Sequence, residues 1–283
     1  MVAEVVVVHG IGQQLLGPEL LLDQWRPAVR DGIRLAGGVT HGVEVDCAFY
    51  GDLFRRAGTR GLGDPEMNAA DVESELEREL LLAWWEEAGR VDPAVTGPEA
   101  DTRLRTPHVI QRALDALSHS VFFAGLAERV LVFDLRQVRR YLTDMELRER
   151  IQGRVAACVT PETSVVVGHS LGSVVAYETL CLHPEWNVGT LVTLGSPLGI
   201  QHLIFDRLDP PPTDGLGVWP GTVERWVNVA DRGDVVALVK RLAPRFGEGV
   251  EDVVVHNGAR AHDLRPYLTA VETGRAIADG LTR

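Results

Sequence analysis

Lysine is almost missing from this chain. Of its 28 basic residues only Lys240 is a lysine, and the rest are arginines. That imbalance reads as genome base composition rather than as chemistry. Positive charge as a whole is scarce, because 40 acidic residues leave a net charge of -12. A nucleic-acid binder needs a basic face to displace counterions, so nucleic acid is excluded as a partner. The same balance disfavours anionic membrane surfaces and strongly acidic substrates. Cysteine is sparse too. Cys47, Cys158 and Cys181 lie in apolar surroundings without C-x-x-C spacing. They read as buried thiols, which excludes a disulfide framework and a cysteine zinc site. No metal and no organic cofactor is expected. Long apolar runs are also lacking. Nothing approaches the roughly 20 residues that span a bilayer, so no stable membrane insertion is expected. The run VVVV near the start follows Glu4, ends in His9-Gly10, and has no basic stretch before it. It lacks the form of a signal peptide, and a cytoplasmic location is expected.

What is present describes an ordinary globular chain. At 283 residues, 45% apolar and 24% charged, it can build one sizeable core. We read residues 1–283 as a single domain. The β-branched run from Val2 to Val8 reads as a buried parallel strand. Val43 to Tyr50 gives a second strand, and 163–167, 189–194, 223–229 and 251–256 give four more. Helical patterns cover 20–36, 144–157, 171–182, 235–242 and 263–279. Strands alternating with helices predict an α/β fold. Its sheet is mostly parallel, of about six strands, with helices on both faces. The run 209–221 reads as a long irregular connection.

The segment 52–142 breaks this rhythm. It holds a glycine-rich loop (AGTRGLGDP), an acidic helix (DVESELERELLLAWWEEAGR) and a second helix from about Pro107 into VFFAGLAERVLVF. It reads as a helical cap inserted over one end of the sheet, and a plain helical layer is the alternative. Trp84, Trp85, Phe122 and Phe123 are candidates to line an apolar acyl site, or else belong to the core of that layer.

The chemistry points to TSVVVGHSLGSVVAYETL, residues 163–180. One serine, Ser170, stands between glycines two places before and two places after. With 7 serines and 29 glycines in 283 residues, chance copies of G-x-S-x-G number 7 × (29/283)², about 0.07. A strand precedes it and a proline-free helix follows. A turn that tight strains its central residue and lifts the hydroxyl clear of the sheet, toward the free N–H groups that open the helix. GHSLG resembles the nucleophile elbow of the α/β-hydrolase superfamily, with Ser170 as nucleophile.

The resemblance carries further expectations. The N–H of Leu171 is one expected oxyanion donor. VVVVHGIGQQ is similar to the HG loop of lipases and esterases, which makes the N–H of Ile11 the other donor and His9 a brace of the loop. The chain then opens at the oxyanion strand, without the superfamily's first two strands. The superfamily's order of nucleophile, acid and histidine places the acid after VERWVNV. Asp231 and Asp234 both qualify there. RGDVVA looks like the acid turn of many lipases, which favours Asp234, with Asp231 left as a turn or capping residue. The histidine follows the last strand. HDLRPYL is similar to the His loop of lipase-like members, which favours His262 over His256. His169 is the variable position of the elbow. Tyr50, at the C-terminal end of a strand, is a candidate pocket wall.

Neutral imidazole is matched to deprotonating a serine hydroxyl, and a buried carboxylate orients it. The expected activity is cleavage of a small carboxylic ester through an acyl-serine, as in esterases and lipases. A thioesterase, acyltransferase or amidase with the same Ser170-Asp234-His262 triad is the alternative. A non-catalytic binding module on this fold is a further one.

Overall fold

The structure is a computed structural model and describes residues 3–55, 67–98, 107–120 and 128–282. In chain order it forms β1 (Val5–Val8), α1 (Pro18–Leu35), β2 (Val45–Ala48), α2 (Glu75–Val91), α3 (Pro107–His119) and α4 (Glu128–Thr143). There follow α5 (Met145–Ala156), β3 (Val165–His169), α6 (Leu171–Leu182), β4 (Thr190–Leu194) and β5 (Arg225–Asp231). α7 (Ala243–Phe246), β6 (Val250–Val255), α8 (Leu264–Thr269) and α9 (Val271–Leu281) complete it.

The six strands make one all-parallel sheet in the order β2-β1-β3-β4-β5-β6. β1 is buried on both faces, which is why it is an unbroken valine run. Val6 and Val8 face one core, with α2 to α6, and Val5 and Val7 face the other, with α1, α8 and α9. After β1 the chain runs to β2 on one side, and after β3 it runs to β4 on the other. The loops leaving β1 and β3 therefore part from each other, and a crevice opens between them at the C-terminal ends of the strands.

Three expected elements differ. Residues 235–242 form no helix. Their backbone is satisfied from outside the segment: the Asp234 carboxylate accepts from Val236 and Ala237 N–H (2.9 and 3.2 Å), and the Asn228 amide donates to Lys240 O (3.1 Å). Asp252 accepts the N–H groups of Leu242 (2.7 Å) and Ala243 (2.9 Å). These side chains take the place of the i→i−4 ladder. The expected helix 263–279 is two helices, broken where Ala270 turns extended (φ -61°, ψ 137°). The helix from Pro107 ends at His119, with Ser120 already outside it. The stretch 121–127 and the loop 57–65 lie outside the described residues.

Within 52–142, α2 starts on a capping box in which the Ser74 hydroxyl accepts from Glu77 N–H and the Glu77 carboxylate accepts from Ser74 N–H, both at 3.1 Å. The Arg139 guanidinium on α4 donates to the same Glu77 at 2.7 Å and draws α2 and α4 together. The cysteines are free thiols; Cys47 is buried, whereas Cys158 and Cys181 are half-buried. No helix among the described residues is long and apolar enough to cross a membrane.

Candidate active site

Ser170 joins β3 to α6 in the left-handed region, at φ 52° and ψ -129°. A non-glycine residue there is strained and is held by its surroundings. Its N–H continues the sheet by donating to Leu194 O (3.0 Å), and its carbonyl accepts from the Ser173 N–H (2.9 Å) and hydroxyl (2.6 Å). The flanking glycines are required by contact. A Cβ on Gly168 would lie 2.6 Å from Ser173 Cα, and one on Gly172 would run into the carbonyls of Val8 and His9. The elbow is thus wedged against the end of β1.

His262 lies on the loop after β6 and faces Ser170. Its Nε2 is 3.0 Å from Ser170 Oγ, and its Nδ1 is 2.8 Å from Asp234 Oδ2. Asp234 follows β5 and is fully buried, with Oδ2 also accepting from the Tyr267 hydroxyl (2.8 Å). Burial alone raises a carboxyl. The charge and hydrogen bond of His262, the Lys240 charge and the Tyr267 hydroxyl outweigh it and hold Asp234 below its ordinary value. An ionised Asp234 only accepts, so this bond assigns the imidazole proton to Nδ1 and leaves Nε2 to accept from Ser170. The remaining candidates take other places. Asp231 closes its own turn, accepting from Gly233 N–H (2.6 Å) and from Asn257 N–H. His256 is exposed at the end of β6.

Ile11 and Leu171 border Ser170 in one cleft. Among the described residues neither backbone N–H has a hydrogen-bond acceptor. Leu171 opens α6, where the helix dipole favours negative charge. The loop carrying Ile11 is held from behind. His9 is buried; its Nε2 accepts from the Tyr50 N–H (3.0 Å), which leaves Nδ1 to donate to Gly10 O (2.6 Å). Burial pushes His9 down to about 4, and the Gly10 bond offsets only part of it, so the ring is neutral at pH 7. Tyr50, expected as a pocket wall, is not among the described residues that line the cleft. It is fully buried behind the loop, stacked on His9 at 3.9 Å, with its hydroxyl donating to His9 O.

Three further side chains support the site without a role assigned to them by sequence. Tyr267 accepts the Asp231 N–H (2.7 Å) and donates to Asp234, so it bridges both acids of the turn. It lay within HDLRPYL, five residues past His262. His169 donates from Nε2 to His262 O at 3.0 Å; burial, then the His262 charge, push it down to about 3. It is a neutral brace for the histidine loop. Lys240 donates from Nζ to Asp234 O and lies 3.9 Å from Glu87 of α2. Its singularity in the composition was the available signal.

The cleft is narrow and only partly open to solvent. Leu80 and Trp84 of α2 and Val138 of α4 line it, facing Pro197, Ile204 and Val236. Trp85 is instead buried among its neighbours, with its indole N–H donating to Thr96 O (2.8 Å). Phe122 and Phe123 lie outside the described residues. Among the described residues no three His, Cys, Asp or Glu side chains gather as a metal site. No protein-family model matches the chain, and no curated protein matches it.

Proposed function

We propose that the protein is a serine hydrolase of the α/β-hydrolase type. Its reaction is cleavage of a carboxylic ester through an acyl-Ser170 intermediate. The observation that carries this reading is the unbroken line from Ser170 Oγ to His262 Nε2 (3.0 Å) and from Nδ1 to the buried Asp234 (2.8 Å). It begins at a serine held in strained backbone.

In this reaction His262 Nε2 takes the hydroxyl proton as Ser170 Oγ bonds to the ester carbonyl carbon. The carbonyl oxygen becomes an oxyanion that the N–H groups of Ile11 and Leu171 stabilise. The carbon–oxygen bond to the alcohol breaks, and the alcohol leaves with the proton from His262. Water then repeats the sequence on the acyl-enzyme, releasing the acid and restoring Ser170. Asp234 stays ionised and stabilises the imidazolium in both halves.

A fluorophosphonate probe tests the reading. Wild-type protein is expected to be labelled, and folded Ser170→Ala to lose labelling and ester turnover by about 10³-fold or more. Labelling that survives in Ser170→Ala, or folded wild-type protein that takes no label, would overturn it.

A further inference from the structure

α2 brings one face to the site. Glu77, Leu80, Trp84 and Glu87 follow one another at helical spacing along it. Leu80 and Trp84 line the cleft over Ser170. At one end Glu77 holds Arg139 of α4 at 2.7 Å, with only 2% of its side chain exposed. At the other, Glu87 meets Arg90 at 3.2 Å and Lys240 at 3.9 Å. Lys240 in turn donates to the carbonyl of Asp234. The two apolar side chains are thus pinned between two charged contacts, and one of these reaches the acid turn.

Which half of an ester would lie against this face follows from the base. The histidine hands its proton to the departing alcohol, so the alcohol lies beside His262. The cleft is bordered by both oxyanion candidates, and His262 is not among its lining residues. It is therefore on the acyl side. Among the described lining residues none is charged, and the polar groups are the Ser170 hydroxyl and the Trp84 indole N–H. A charged acyl group would be desolvated there with no counter-ion among the described lining residues.

We propose, resting on the hydrolase reading above, that α2 is the wall that limits acyl length. Trp84 is its specificity-determining residue, and the acyl group accepted is short, apolar and uncharged. Trp84 is 1% exposed and already packed, so a longer chain has to displace it.

The experiment compares wild type, Trp84→Ala, Trp84→Phe and Leu80→Ala on two ester series. One varies the acyl group from acetyl to dodecanoyl with p-nitrophenol as the alcohol. The other holds acetyl fixed and varies the alcohol. Wild type is expected to prefer short acyl groups and to take a succinyl ester at least tenfold more slowly than a butyryl ester. Trp84→Ala should raise the ratio of long-acyl to short-acyl kcat/KM by about tenfold or more, and leave the alcohol series unchanged. If Trp84→Ala fails to fold, Trp84→Phe and Leu80→Ala are read for the same shift. Fluorophosphonate labelling of the same samples separates the two readings. Absence of label on folded wild type sinks the hydrolase assignment. Labelled variants with an unchanged acyl profile, or with a shift in the alcohol series instead, sink the wall.

Discussion

Replacing Asp134 by Asn tests the electrostatics of α4 directly. Asp134 lies on α4 and is 6% exposed. Its Oδ1 accepts from the Gln137 amide at 3.3 Å and faces Gly12 of the candidate oxyanion loop. Burial pushes the carboxyl from 3.8 to about 8, so at pH 7 the folded protein keeps it protonated while the unfolded chain ionises it. A folded value above the unfolded one gives stability that is full below about pH 3.8 and is lost by about pH 8. Each pH unit in that window removes about 1.4 kcal/mol. From 3.8 to 7 the loss is about 4 kcal/mol. Asparagine copies the neutral acid and cannot ionise, so Asp134→Asn escapes the loss. Urea denaturation of both proteins across this range reads it. The difference in unfolding free energy should be near zero at the acid end and favour the variant by about 4 kcal/mol at pH 7. In melting temperature this is on the order of 8 °C for a chain this long. Parallel stability curves would refute the reasoning, because they would mean that the carboxyl ionises in place.

Two further outcomes follow from the same geometry. Arg148 (6% exposed) donates to the fully buried Glu178, so Arg148→Met strands a buried charge and should cost about 3–5 kcal/mol in urea denaturation; Glu178→Gln in the same chain should recover most of that. His262→Ala should abolish fluorophosphonate labelling and His256→Ala should leave it intact, since only His262 reaches Ser170; equal effects of the two would reject the assignment of the base.

Much of this architecture was legible in the sequence, for a local reason. A strand buried on both faces needs β-branched residues at every position, so β1 and β3 announce themselves as valine runs. The elbow is equally local: its glycines are demanded by backbone a few residues away and by the end of one neighbouring strand. The candidates Ser170, Asp234 and His262 each lie beyond the end of a strand, but Asp231 and His256 stand at strand ends too, and it is the resemblance of RGDVVA and HDLRPYL that favours Asp234 and His262. What stayed hidden depends on contacts distant in the chain. Residues 235–242 have a helical pattern, yet Asp252, Asn228 and Asp234 take their backbone bonds, and no local propensity reports that competition. Tyr50 stands at the mouth of the sheet by sequence, but its stacking on His9 turns it inward.

Lys240 shows how rarity and role can be confused. A single lysine among arginines looks like base composition, and composition does explain the arginines. It does not explain the exception. At this position one donor has to reach one carbonyl, Asp234 O, from a mostly buried side chain, with Glu87 to one side. An ammonium is a compact donor at the end of a flexible stem, whereas a guanidinium brings five N–H groups in a rigid plane. Burial lowers the Lys240 value, and the charges of Asp234 and then Glu87 offset part of that effect. The cation therefore sits where α2 and the acid turn both need it. The geometry of the site thus gives a physical reason for lysine at this position, which base composition does not.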